Sequence, residues 1–427
     1  MSIKTAATVV GLGKLGAPLL AVLGAKVSCA IGVDLNPLTL EKIKNYQAPV
    51  EETGLQSLLS EAQKTESIRV TTELGNAVLD SEIVFIVVPT PSEKSGKFSA
   101  KYVNDVAFNI GKALRNTLET QDETYRLFVL VSTVLPGQTQ EEFLQVIEET
   151  SGISPGKTYG VCYSPEFIAL GTVINDIQNP DFVLIGSSDT KAGNTLEAFY
   201  TTLCNNSPPF YHTNLVNAEL AKLALNCFVT TKISYANMLA ELCETIEGAN
   251  VDEVTKALGL DARISPKFFT GASPYGGPCF PRDNQALRAY ANDRNVETFI
   301  PDATHETNED LIVRLAELVE KEVCANSHIV LVGMSYKIGS AEEIESTGTR
   351  LLSVLSETLD GITISTVNTE KEALPIIPEA SIIVVLLPFM WAHKLDYRGK
   401  TVIDCWRTLQ NPNCEKLIQI GIGAKNG

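Results

Sequence analysis

A short apolar run, Ala6–Val10, stops at Gly11-Leu-Gly13-Lys-Leu-Gly16. An apolar segment continues to Leu23, and a second run, Val27–Val33, closes on Asp34. Strand, glycine turn, helix and strand in that order open a βαβ unit, and few folds accept that opening. In this context Gly11 is expected to make the tight turn, Gly13 to let the backbone approach a pyrophosphate at the helix N-terminus, and Gly16 to let helix and strand pack closely. Asp34, about 20 residues on, is placed to bond an adenine ribose and repel a 2′-phosphate, which favours NAD over NADP. Read without a ligand, the same residues are a glycine-rich turn. The apolar stretch Ala6–Ala30 also has the look of a secretion signal, but Lys14 and Lys26 interrupt it and leave no run long enough to span a bilayer.

Further apolar runs at Ile83–Val88, Leu127–Val131 and Val183–Ile185 alternate with helical stretches, so a mostly parallel, doubly wound sheet is expected first. From Leu215 to about Glu247 there is no Gly or Pro, and Glu219, Lys222, Asn226, Thr230, Ser234, Asn237 and Glu241 recur every three or four positions. That predicts one long helix with a polar stripe on an apolar body. Lys222 and Asn226, at i and i+4, share a face. The bland reading has the stripe facing solvent. Asn295–Asn308 reads as a polar linker. Runs at Ile329–Val332, Ile362–Val367, Ile382–Leu387 and Thr401–Asp404 then predict a second, smaller α/β unit. ATVVGLG and HIVLVGMS are faintly alike, which suggests two related sheets rather than a repeat array.

At roughly 150 residues per domain, 427 residues imply two or three domains. The formal charge of −17, from 34 basic and 51 acidic residues, argues against general binding to nucleic acid or to anionic membrane. Nine widely spaced cysteines without a C-x-x-C fit reduced thiols in a cytoplasmic protein. The four histidines form no ligand pattern, and no metal is expected.

Cys279 stands apart from the other cysteines. It lies in Gly271-Ala-Ser-Pro-Tyr-Gly276-Gly277-Pro-Cys279-Phe-Pro281-Arg282-Asp283, a loop too rich in Gly and Pro for a helix interior. A thiol there can meet a ligand, with Arg282 near to favour the thiolate and Asp283 to move a proton or hold a lysine. Thr133, in Ser132-Thr133-Val134-Leu-Pro136-Gly137, follows a strand as cofactor-side loops do. Glu166 stands in Tyr163-Ser164-Pro165-Glu166-Phe167. Both also read as ordinary turn residues.

Taken in order, GLGKLG, VPTPS, STVLPG, SPEF followed by NPD and IG, ELAKLALNCF, YGGPCFPRD, and GMSYK with a downstream ES span nearly the whole chain. The chain thereby resembles the UDP-glucose/GDP-mannose dehydrogenase family, the nucleotide-sugar dehydrogenases. The resemblance implies two Rossmann-like domains joined by a long central helix: residues 1–205 for NAD, 206–308 for the cysteine loop and dimer contacts, and 309–427 for the nucleotide of the sugar substrate. It also implies a four-electron, NAD-dependent oxidation of a sugar C6 alcohol through an aldehyde and a Cys279 thioester. Lys222 and Asn226 would stabilise the oxyanions, Thr133 and Glu166 would handle the water, and Asp283 would support Lys222. Gly11, Leu12, Gly13, Lys14, Leu15, Gly16, Asp34, Pro89, Thr90 and Thr133 would hold the cofactor. Glu166, Phe167, Gly171, Lys222, Lys267, Tyr275, Gly276, Lys337 and Arg407 would hold the nucleotide sugar, with Arg263 reaching across a homodimer.

Several positions depart from the family pattern. Leu170 stands where relatives carry a second glutamate, Pro278 where they have serine, and Arg282 where they have lysine. The family's second-domain arginine falls on Ile344, and its DGR element becomes Asp404-Cys-Trp406-Arg407. UDP-glucose is the expected substrate, with UDP-N-acetylhexosamines and GDP-mannose as alternatives. From another class, a two-electron hydroxy-acid or sugar-phosphate dehydrogenase has no use for Cys279, and a non-enzymatic sensor of NAD or nucleotide sugar has no use for most of the set. From Leu215 to Tyr290 eight acidic residues meet seven basic ones, so the excess negative charge lies elsewhere. Lys222, Arg263, Lys267, Arg282, Lys337 and Arg407 are then expected to converge on the diphosphate and the oxyanion.

Overall fold

The computed structural model describes residues 3–423, which divide into two compact units between residues 223 and 224. Residues 1–2 and 424–427, the ends of the first and last expected domains, lie outside the described residues.

The first unit is built on strands β1 (Ile3–Val10), β2 (Val27–Val33), β3 (Ile68–Thr71), β4 (Ile83–Ile86), β5 (Arg126–Leu130), β6 (Tyr159–Tyr163), β7 (Val183–Ser187) and β8 (Phe210–Thr213). Their order in the sheet is 3-2-1-4-5-6-7-8, parallel from β3 to β6 and broken by one antiparallel pair, β6 with β7. Strands β4, β5 and β6 are buried along their whole length. That pattern fits a sheet covered by helices on both faces. Two apolar clusters supply the cover, one around Leu19, Leu20, Leu23 and Phe85, the other around Phe128, Phe143 and Tyr159. The strand order reverses between β1 and β4, where the carboxyl ends of the strands open the ligand crevice of such sheets.

The second unit carries β9 (His328–Val332), β10 (Thr363–Val367), β11 (Ile382–Val385), β12 (Thr401–Asp404) and β13 (Lys416–Gln419), all parallel, in the order β10-β9-β11-β12-β13. Its first turn repeats that of the first unit. Gly11 N–H bonds Val33 O at 2.8 Å and Leu12 N–H bonds Asp34 Oδ2 at 2.7 Å; Gly333 N–H bonds Val367 O at 2.8 Å and Met334 N–H bonds Asn368 Oδ1 at 2.7 Å. Both glycines have φ near +100° (+92° and +109°), which a side chain would strain. The faint likeness of ATVVGLG to HIVLVGMS is thus a shared backbone turn.

Two expectations change. Residues 299–308 are not linker but the start of a helix, Phe299–Glu320. Two of their polar residues are inward contacts: Asn308 is 2% exposed, and Thr304 meets Thr231 at 3.0 Å. The long helix runs over Leu215–Glu244 as expected, but its faces are inverted. Glu219, Lys222, Asn226, Thr230, Ser234 and Asn237 are buried, whereas Leu220, Phe228, Tyr235, Met238 and Leu242 are exposed. Of the stripe, Glu241 is exposed and the other six residues are buried.

Candidate functional site

In the first unit the candidate residues other than Lys222, which lies on the long helix, follow the carboxyl ends of strands. The turn after β1 leads into the helix Gly16–Gly24. A Cβ on Gly16 would stand 1.8 Å from Gly11 O, so only glycine allows the helix to start there. A Cβ on Gly13 would meet nothing within 4 Å, which leaves that backbone open to a ligand at the helix N-terminus. Asp34 closes the neighbouring strand, its two oxygens accepting the N–H groups of Leu12 and Asn36, each at 2.7 Å. These two bonds fix the carboxylate and leave it acceptor capacity for ribose hydroxyls. Thr90 donates its hydroxyl to Thr133 O at 2.7 Å, and Ser132 donates to Val88 O at 2.7 Å, so the loops after β4 and β5, which carry Pro89, Thr90 and Thr133, are tied together. This cradle fits a dinucleotide.

After β6 the chain passes through Glu166, Phe167 and Gly171. Lys222 donates from Nζ to Glu166 O at 2.7 Å and lies 4.5 Å from the centre of the Phe167 ring. A buried ammonium is thereby aimed at the Glu166 peptide. Burial pushes the Glu166 carboxyl up to about 7, against the lowering effect of a Tyr200 hydrogen bond and the Lys222 charge. A carboxyl poised there exchanges protons near neutral pH. Gly171 N–H is held by Glu52 Oε2 at 2.8 Å, and Leu170 packs against the apolar core.

Glu219, one turn before Lys222, was visible in sequence only as part of a stripe. It is fully buried and accepts the N–H groups of Gly137 and Thr139 at 2.6 and 2.7 Å. Burial raises its pKa despite these bonds. Two hydrogen bonds to a charged group, each about 1.5–3 kcal/mol, tether the long helix to the loop bearing Thr133.

In the second unit the glycine-rich loop ends where a helix begins. Cys279 is the N-cap residue of Phe280–Asn292, with Pro281 in its first turn, so Arg282 and Asp283 are helical rather than part of the loop. Pro281 is acceptable there because first-turn N–H groups have no intrahelical partner. Cys279 is exposed. A thiolate at that position would face the positive end of the helix. By contrast, burial pushes the Cys204 thiol up to about 11 and the Cys227 thiol up to about 12, which keeps both protonated and inert.

Asp283 is 1% exposed and accepts a 2.6 Å bond from Asn226 Nδ2, while its other oxygen lies 3.5 Å from Arg282 Nε. Asn226 itself stands one helical turn beyond Lys222. Two buried asparagines hold the preceding loop by its backbone. Asn237 accepts Ala272 N–H at 2.8 Å and donates to Ser273 O at 3.3 Å. Asn308 accepts Tyr275 N–H at 2.8 Å and donates to Tyr275 O at 3.1 Å. Neither could be singled out from sequence, since their partners are more than thirty positions away. Gly276 packs so closely on Glu345 O that a Cβ would stand 2.0 Å from it.

The remaining expected cations are distributed as follows. Arg263 is exposed and pairs with Asp261, its NH2 nitrogen 2.6 Å from Oδ2. The Lys267 carbonyl accepts from Lys232 Nζ at 2.7 Å, and Lys337 Nζ lies 5.8 Å from the centre of the Tyr336 ring. Arg407 departs from the expectation. Its guanidinium bonds both oxygens of Asp252 at 2.7 Å and the carbonyls of Cys405 and Ile420, with its side chain 5% exposed. That geometry makes it a brace inside its own unit rather than a positive group offered to a diphosphate.

Residues 5–204 match the NAD-binding domain of the UDP-glucose/GDP-mannose dehydrogenase family, and residues 216–310 match that family's central domain. The chain belongs to the UDP-glucose/GDP-mannose dehydrogenase family. A GDP-mannose 6-dehydrogenase of Pseudomonas putida is 30% identical over 341 residues, 79% of this chain and 75% of that one. A UDP-glucose 6-dehydrogenase of Haloferax volcanii is 29% identical over 351 residues, 82% and 80% of the two chains. Among solved structures, a UDP-glucose dehydrogenase from Pyrobaculum islandicum superposes with a TM-score of 0.87 at 25% identity, covering 99% of this chain and 98% of that one. Membership makes this a nucleotide-sugar dehydrogenase fold with NAD as cofactor. Among the described residues no helix is long and apolar enough to cross a membrane.

With Asp34 expected at the adenine ribose, Asp34→Asn is expected to lower the NAD-to-NADP preference about 100-fold. The lost term is repulsion between a carboxylate and a 2′-phosphate, which is worth a few kcal/mol at short range. Asn368 shows that an asparagine can hold this turn. Initial rates with each cofactor check the prediction, and an unchanged ratio would refute it.

Proposed function

We propose that the protein oxidises the C6 hydroxyl of a nucleotide sugar, UDP-glucose foremost, to the carboxylate. The observation that carries this reading is Cys279: an exposed thiol at a helix N-terminus, with Asp283 of the same helix bonded to Asn226. Each sugar gives up two hydrides and gains one oxygen from water. The cofactor, when bound, accepts hydride.

In the first oxidation the C6 hydroxyl gives its proton to solvent, Lys222 and Asn226 stabilise the alkoxide, and departure of the first hydride leaves the aldehyde. The Cys279 thiolate then adds to the aldehyde carbon, and the same donors hold the resulting oxyanion. Loss of the second hydride leaves a thioester on Cys279. Glu166, with Thr133, takes a proton from water, the hydroxide adds to the thioester, and the thiolate departs as the carboxylate forms. Asp283 orients the Asn226 amide. Phe167, Gly171, Lys267, Tyr275, Gly276 and Lys337 hold the sugar and diphosphate in this reading; Arg407 is left out.

The division into an NAD-binding, a central and a nucleotide-sugar part belongs to the same proposal, as does a homodimer with Arg263 reaching across it. The dimer is favoured by Phe228, Tyr235, Met238 and Leu242 on one side of the long helix, an apolar face that needs a cover. The test is NAD reduction across UDP-glucose, GDP-mannose and UDP-N-acetylhexosamines with product counted. Two reduced cofactors per uronate with UDP-glucose is the expected result. A preference for GDP-mannose would replace the sugar and keep the chemistry, whereas one reduced cofactor per product would favour a two-electron dehydrogenase.

A further inference from the structure

We infer that Tyr200 is a positioning residue for Glu166, its phenol fixing the carboxylate and holding it in the charged form that can take a proton from water. The catalytic half of this inference rests on the proposed role of Glu166; the coupling of the two side chains does not.

Tyr200 lies near the end of the helix Thr190–Leu203 and is 3% exposed. Its ring packs edge-on against Phe85 and Phe199, with centroids 6.4 and 6.5 Å apart. Its hydroxyl is 3.1 Å from Glu166 Oε1. Ring and hydroxyl therefore have separate tasks, and a buried phenol must bond to something. Here the partner is a carboxylate. Burial raises the phenol's own pKa well above its ordinary value, with the Glu166 charge adding to it, so Tyr200 stays protonated and remains a donor.

Three elements face Glu166 with titratable groups. The helix bearing Tyr200 supplies the hydrogen bond, the long helix supplies the Lys222 charge, and the helix Val173–Gln178 supplies Asp176, which opposes the charged form. Ser164 and Cys204 act on Tyr200 itself. Removing the Tyr200 hydroxyl withdraws a donor that favours the carboxylate. Glu166 then protonates at higher pH, and because a base is lost as pH falls through its pKa, the acidic limb of the rate profile moves upward. One hydrogen bond to a charged group corresponds to a shift of about one pH unit.

The test uses Tyr200→Phe, which keeps the ring, and Phe85→Leu, which loosens the same packing and keeps the hydroxyl. Infrared difference spectra of the intact protein should show a protonated-carboxyl band titrating near 7 and absent from Glu166→Gln. In Tyr200→Phe the band should titrate about one unit higher, and in Phe85→Leu it should stay while the melting temperature falls. With NAD and UDP-glucose, the acidic limb of kcat should move with the band. A band unmoved by Tyr200→Phe, or moved as far by Phe85→Leu, overturns the inference. A band that moves while the limb stays supports the coupling of Tyr200 to Glu166 and overturns Glu166 as the base.

Discussion

Cys279→Ala is expected to lower the rate of uronate formation by about 1,000-fold or more, roughly 4 kcal/mol of transition-state stabilisation. The product that builds up instead should be the aldehyde, with one reduced cofactor per sugar. The reason is chemical. An aldehyde has no hydride to give until a nucleophile has added to its carbonyl, and the thiol is the nucleophile this chain presents. Cys279→Ser keeps a weaker nucleophile at the same N-cap, so a slow ester intermediate should accumulate and add its mass to the protein. Neither change should disturb the fold, because Cys279 is exposed and makes no side-chain capping bond. Rapid-quench product analysis beside absorbance at the reduced-cofactor band separates the two steps. Wild-type rates with two reduced cofactors per product in the alanine variant would remove Cys279 from the mechanism.

How much of this was legible in the sequence depended on whether the interaction that decides a residue's role is local. The glycine turn and Asp34 were legible because turn, helix start and carboxylate are fixed by neighbours in the chain, and the bonds to Gly11 and Leu12 fall where the spacing puts them. The extent of the long helix was legible from its period, but not which face is buried. The bland reading assumes that polar residues face water, and here Glu219 and Asn226 turn inward because the groups they bond, Thr139 N–H and the Asp283 carboxylate, are about 60 to 80 positions away. The same cause hid the helical character of residues 299–308, since Asn308 serves the backbone of Tyr275. It also hid Tyr200, whose sequence context, LEAFYTTL, shows only an aromatic in a helix. Arg407 erred in the other direction. A cation in a motif-like position was expected to meet a ligand, but Asp252 claims it.

The Lys222 ammonium is buried, and taking a positive charge out of water costs stability that leucine or methionine at the same place would not. It donates to Glu166 O and lies over the Phe167 ring, which holds it in place. A fixed positive charge is what a developing alkoxide requires. Lys222→Met is therefore expected to reduce kcat about 100- to 1,000-fold, the usual loss when an oxyanion donor is removed. The melting temperature should change little, because the relieved desolvation offsets the lost contacts. Affinity for NAD should be unchanged, since the turn at Gly11–Gly16 and the Asp34 carboxylate are formed by other residues. Lys222→Arg should not rescue the rate. A planar guanidinium spreads its charge over a fork and cannot place a compact ammonium over Phe167 while donating to the Glu166 carbonyl. Steady-state kinetics, cofactor titration and thermal melting of the two variants make the comparison. A variant with kcat within threefold of wild type would show that the buried charge serves the fold alone.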